Sequence, residues 1–151
     1  MTGESNLLKL VEAEPEDGYR LQDQVGFVLR KAHQRHVAIF AARIGDLTPP
    51  QFAALAKLAD VGETSQNQLG TLIAMDAATV KGVIDRLKAR GLVELTRHDA
   101  DKRRLLVSLT AEGRETVDRL VPLAEQITVE TLQPLSSKEA ATLLRLLARI
   151  A

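Results

Sequence analysis

Apolar residues recur at helical spacing along most of this chain, and the pattern changes to alternation once, between residues 92 and 109. Val80, Val83, Ile84 and Leu87 fall at i, i+3, i+4 and i+7, which makes one apolar stripe on a helix. Thr79, Lys81, Asp85, Arg86 and Lys88 occupy the opposite face. Asp76 stands at the N-cap position, and Gly91 follows Arg90 where a left-handed C-terminal residue belongs. Beyond it, Leu92, Val93 and Leu95, then Leu105, Val107 and Leu109, read as two strands. They enclose residues 98–104, His-Asp-Ala-Asp-Lys-Arg-Arg, so the hairpin has a cationic tip.

The rest of the chain reads as helices. Leu21, Val25, Val28, Leu29, Ala32, Ile39 and Phe40 predict one from about residue 19 to 44, stopped by Gly45-Asp46. Thr48 caps a second, with Pro49 at its first position and Phe52, Leu55 and Leu58 turned inward. Ser65-Gln66-Asn67-Gln68 has the form of a capping box and opens a short third helix through about Ile73. Thr110 caps a long fifth helix, with Glu112 in its positive first turn and Pro122 predicted to kink it. Pro134 ends it, and Ser136-x-x-Glu139 opens the last, residues 138–150. The fold class is therefore mainly α with a small antiparallel β-wing. Leu132, Leu135, Leu143, Leu144, Leu146, Leu147 and Ile150 are too apolar for a solvated tail and predict a homodimer interface.

Composition narrows the reading. A chain of 151 residues suits one domain, or a DNA-binding lobe and a dimerisation lobe that share helices. Residues 1–18, with Glu14-Pro15-Glu16-Asp17-Gly18 as a breaker, form an acidic arm before residues 19–151. The absence of cysteine excludes disulfides and thiol redox sensing. No apolar run approaches the ~20 residues that span a bilayer, and the first residues lack a signal-peptide pattern, so no membrane association and a cytoplasmic location are expected. The formal net charge is zero, yet residues 81–104 hold eight Lys/Arg against four Asp/Glu. DNA responds to that local excess. No Gly-x-Ser-x-Gly, His-Glu-x-x-His or phosphate loop occurs, so neither an enzyme nor a cofactor is expected.

A helix narrow enough for the major groove, beside a basic hairpin, matches DNA geometry. Ala77, Ala78 and Thr79 at its N-terminal end suit thymine methyls, and Lys81 suits guanine or phosphate. Ser65, Gln66 and Asn67 open the preceding helix, whose free N–H groups favour phosphate; Ser65 also serves as its cap. Arg86 suits either a phosphate or a partner within the protein. A second basic cluster, Arg30-Lys31-Ala32-His33-Gln34-Arg35-His36, lies on the first long helix between Phe27 and Phe40. It reads as a solvated face or, through His33, His36 and His98, as a metal site.

The stretch from Thr79-Val80-Lys81-Gly82-Val83-Ile84-Asp85-Arg86-Leu87 through Arg90-Gly91-Leu92-Val93 closely resembles the winged-helix domain of the MarR family of bacterial transcriptional regulators. The family's Asp-x-Arg wing signature stands as Asp101-Lys102-Arg103, followed by Leu-Thr-x-x-Gly at residues 109–113. The resemblance implies a winged helix-turn-helix at about 48–110, with dimerisation helices at about 19–45 and 111–151. It implies a homodimeric repressor on a pseudo-palindromic double-stranded operator. Arg103 would enter the minor groove, flanked by Lys102 and Arg104, and Asp101 would orient it. One departure is Gly82, where many relatives carry an arginine. The resemblance further points to the branch that controls aromatic-acid breakdown. Its effector would be an aromatic or heteroaromatic acid, or the coenzyme A thioester, held near Phe27, Arg30, His33, Arg35, His36, Phe40 and Phe52. The surplus of cations there leans towards the thioester. The alternatives are an effector-independent architectural DNA-binding protein and a metal-responsive regulator.

Overall fold

The computed structural model describes residues 18–98, 100 and 104–151. The expectations for residues 1–17 and for Asp101, Lys102 and Arg103 lie outside the described residues. The chain divides into two compact units, Met1–Arg35 and His36–Ala151.

In the first unit a short 3₁₀ turn, Leu21–Asp23, precedes helix α1, Val25–Arg43. The long helix therefore starts later than its apolar period suggests. Gln24 is extended, and its side-chain amide donates to the Arg20 carbonyl at 3.1 Å, while Asp23 pairs with Arg20 at 3.5 Å. These polar side chains bond locally at the turn that precedes the helix. Val25, Val28 and Leu29 are exposed, Val25 by 67%.

The second unit takes the end of α1 and then α2 (Pro49–Val61), β1 (Thr64–Ser65), α3 (Gln66–Leu72), α4 (Ala77–Ala89), β2 (Val93–Arg97), β3 (Leu105–Leu109), α5 (Ala111–Leu132) and α6 (Ser137–Ile150). Its core gathers Phe40 from α1 and Ile44 just past its end, Leu55 and Leu58 from α2, Leu69 from α3, and Val80, Ile84 and Leu87 from α4. Val107 of β3 and Leu120 and Ile127 of α5 close it. Each such side chain contributes about 1.5–3 kcal/mol on full burial.

Caps set most of the boundaries. Thr48 Oγ1 accepts the Gln51 N–H and Gln51 Oε1 accepts the Thr48 N–H, a reciprocal box at the start of α2. Ser136 and Glu139 do the same at α6. Ser65 Oγ accepts the Gln68 N–H at 3.1 Å, which is one half of the box expected there. Thr110 Oγ1 accepts the Gly113 N–H and donates to the Gly91 carbonyl at 2.7 Å, fastening the start of α5 to the end of α4. α5 continues through Pro122 and ends at Leu132, ahead of Pro134.

Among the described residues the sheet has three antiparallel strands in the order β1-β3-β2, one more than the alternation predicts. β2 meets β3 with Val93 opposite Leu109 and Leu95 opposite Val107. β1 adds Thr64 opposite Val107 and Ser65 opposite Leu106. A two-residue strand carries no period of its own, so only its pairing reveals it. No helix of the described residues is long and apolar enough to cross a membrane.

Candidate nucleic-acid interface and ligand cleft

α4 is built to bury one face and offer the other. Asp76 Oδ1 accepts the Thr79 N–H at 2.7 Å at its first turn, and that bond holds the Asp76 carboxyl below its ordinary value. Val80, Val83, Ile84 and Leu87 are all buried, as their spacing predicts. At the other end Gly91 takes φ 73°, Leu92 N–H reaches the Leu87 carbonyl at 3.0 Å and Gly91 N–H the Lys88 carbonyl at 2.9 Å. This double closure satisfies the last carbonyls and turns the chain into β2.

The opposite face leaves Ala77, Ala78, Thr79, Lys81, Asp85, Arg86 and Lys88 exposed. Lys81 Nζ pairs with Asp85 at 2.8 Å across the surface. Such a solvated i,i+4 pair is worth only ~0.3–0.5 kcal/mol, so the ammonium exchanges partners readily. A Cβ added at Gly82 would meet nothing within 4 Å, so the bare backbone there is a notch in the exposed face that packing does not require. Small residues at one end and a notch in the middle allow close approach to a groove wall.

Ser65 is buried, and Gln66 and Asn67 stand at the first turn of α3. Ser65, Gln66, Asn67, Gln68 and Thr71 line a concavity of about 550 Å³ together with Arg104 and Leu105. Arg104 therefore joins the α3 end of the surface. The unexpected β1–β3 pairing does this, since Ser65 lies opposite Leu106, two residues from Arg104. The Arg104 carbonyl accepts the His98 N–H at 2.9 Å, and His98 Nδ1 accepts the Ala100 N–H at 3.1 Å.

The residues expected around a ligand fall in both units. In the first unit Arg30, His33 and Arg35 are exposed, and Lys31 Nζ lies 5.7 Å from the centre of the half-buried Phe27 ring. In the second, His36 Nδ1 and Thr131 Oγ1 share a hydrogen bond of 3.0 Å. Phe40, only 4% exposed, sits 6.5 Å from the His36 ring and 6.2 Å from Phe52, so these three rings form a packed row. Among the described residues no three His, Asp or Glu side chains gather as a metal set.

A different cleft, of about 620 Å³, opens within the second unit. Val37, Phe40, Ile44, Leu47 and Pro49 supply apolar wall, and Arg86, Ala89 and Arg90 bring in the last turns of α4. Arg90 donates to the Asp46 carbonyl and pairs with its carboxylate at 3.4 Å. Of the predicted ligand residues only Phe40 lines this cleft. Asp46 and Arg90 lie 44 positions apart, and neither carries a local signal of the other.

The family model described as MarR family matches residues 45–104. The HTH-type transcriptional repressor NicR of Pseudomonas putida is 41% identical over 134 residues, covering 87% of this chain and 85% of NicR. The crystal structure of a probable transcriptional regulator from Pseudomonas aeruginosa is 51% identical, with a TM-score of 0.85, over 87% of this chain and all of that one. BpsR of Bordetella bronchiseptica, whose structure addresses regulation of DNA binding by 6-hydroxynicotinic acid, is 45% identical with a TM-score of 0.84. That likeness covers 87% of this chain and 96% of BpsR.

Proposed function

The chain belongs to the MarR family of DNA-binding transcriptional repressors, and from that premise we propose that a small heteroaromatic acid releases it from its operator. Its relatives are regulators, not enzymes. The observation that carries the effector class is the 45% identity to BpsR, a protein whose DNA binding 6-hydroxynicotinic acid regulates. The apolar cleft beside the last turns of α4 supports it physically, being of a size that takes ligands of one or two rings.

MarR regulators bind operator DNA as dimers. In this reading each protomer offers the exposed face of α4 to a major groove, the α3 end with Arg104 to the phosphates, and Arg103 to the minor groove. The two half-sites of a pseudo-palindromic operator mirror the two-fold axis. The acid binds the free repressor better than the DNA-bound one and so shifts the population off DNA. Repression of genes for breakdown of the same acid fits such a switch. In this reading the effector occupies that cleft, which has Phe40 on its wall.

The test is an anisotropy titration of the protein on DNA from its own upstream region, repeated with 6-hydroxynicotinic acid, benzoic acid and benzoyl-coenzyme A. Release by the heteroaromatic acid at concentrations where the other two leave the complex intact is expected. A complex indifferent to all three returns the protein to an effector-independent DNA-binding role, and release by the thioester alone overturns the free acid.

A further inference from the structure

We infer that Gly82 is a specificity-determining residue of the DNA-reading helix, and that it makes room for the 5-methyl group of a thymine. This rests on the reading above that the exposed face of α4 enters a major groove, and it names what that face recognises. α4 runs from Ala77 to Ala89, so Gly82 stands in its middle. At a helical turn of 3.6 residues, Ala78, Gly82, Asp85 and Ala89 follow the midline of the face opposite the buried stripe of Val80, Val83, Ile84 and Leu87. Lys81 and Lys88 lie along one edge of that face, Thr79 and Arg86 along the other.

An interior glycine weakens a helix more than any residue but proline, through the backbone freedom it loses on folding. Packing gives no reason for it here. A Cβ at Gly82 would meet nothing within 4 Å, whereas one at Gly70 would come within 3.1 Å of the Met75 carbonyl oxygen. The backbone gives no reason either, since Gly82 is helical and has no positive φ. The fold would gain from an alanine. What the glycine adds is open space on the face turned to DNA. A base edge is read through hydrogen bonds or, at thymine, through its methyl group. Ala78 and Gly82 have no side-chain donor or acceptor, and the N–H and C=O groups of the middle turns are bonded along the helix. The thymine methyl is then the base group this patch receives. Ala78, four residues before Gly82 on the same face, supplies an apolar wall for it.

Uracil differs from thymine only by that methyl, so the full-length protein is titrated by anisotropy on duplexes from its own upstream region with each thymine in turn replaced by uracil. Wild type is expected to lose ~3–10-fold in affinity at one thymine of each half-site. Gly82→Ala is expected to melt ~2–4 °C above wild type. It should bind the natural operator ~10-fold or more weakly, with binding to an unrelated duplex unchanged. On the duplex with uracil at that same thymine, its deficit against wild type should shrink to within ~3-fold, because the group that clashes is gone. A Gly82→Ala protein that binds the operator as tightly as wild type, or that melts below it, overturns the role of Gly82. A deficit equal on every uracil duplex overturns the thymine methyl. The double variant Lys81→Glu with Lys88→Glu keeps the two readings apart. If it binds the operator normally, α4 does not face DNA and the reading above fails; if it loses the operator, a failure at Gly82 belongs to this inference alone.

Discussion

Gly113 has no room for a side chain. A Cβ placed there would come 2.0 Å from the Leu92 carbonyl oxygen, a backbone atom that cannot swing aside. The close approach exists because Thr110 ties the first turn of α5 to Gly91 and to the Leu92 carbonyl. Gly113→Ala must separate the two segments, and overpacking of that kind costs about 1–3 kcal/mol or more. A drop of several degrees in melting temperature is expected from thermal unfolding; an unchanged value would show that the α5 start yields freely. Arg103, outside the described residues, carries the other prediction at this scale. Arg103→Ala should weaken operator binding by ~1–3 kcal/mol while melting stays constant. Repeating the titration at rising salt should show a shallower salt dependence than wild type, because one phosphate-field cation is gone.

Among the elements, α4 has the most at stake, and its N-terminus holds a pH-sensitive cap. The Asp76 carboxyl is lowered from 3.8, first by the backbone N–H of Thr79 and then by its side chain. A carboxylate with a depressed folded value adds stability above its ordinary value and loses it as pH falls through the folded one. Asp76→Ala is therefore expected to melt below wild type at neutral pH, with the gap closing once pH drops under 3.8. Melting curves of both proteins across that range check the sign; a gap that widens in acid contradicts the cap. The cap, the buried stripe and the glycine closure of α4 were all readable from residues 76–91, because each is satisfied within a few positions along the chain. The two-residue β1 was not readable, since its partner β3 begins some forty residues later and its own sequence has no period.

At the scale of the whole molecule, α6 is the element with unfinished business. It is amphipathic, none of its residues is buried, and Leu144 and Ile150 are 49% and 70% exposed. A dimer in which the partner covers this face accounts for apolar surface that a monomer would leave wet. Sedimentation of the full chain is expected to give a dimer. Deleting residues 136–151 should leave protein that aggregates or fails to fold, because partner burial contributes to the fold. The double variant Leu144→Glu with Ile150→Glu should lower the association state at equal concentration. A truncated chain that stays folded, soluble and monomeric would remove the dimer from the proposal.

The sequence by itself determined what local chemistry can specify. Thr48, Asp76, Thr110 and Ser136 start helices because a side-chain oxygen reaches an N–H three residues on. The stripe of α4 and the alternation of β2 and β3 declare which faces turn inward. Only the tertiary structure decided which faces meet. It joined Arg104 to the start of α3 through β1, and it set the His36, Phe40 and Phe52 rings in one row, with Phe40 also on the wall of the cleft. It also brought Arg90 across 44 residues to Asp46. These contacts close long loops between elements, and residue type along the chain carries no record of the distance that folding removes.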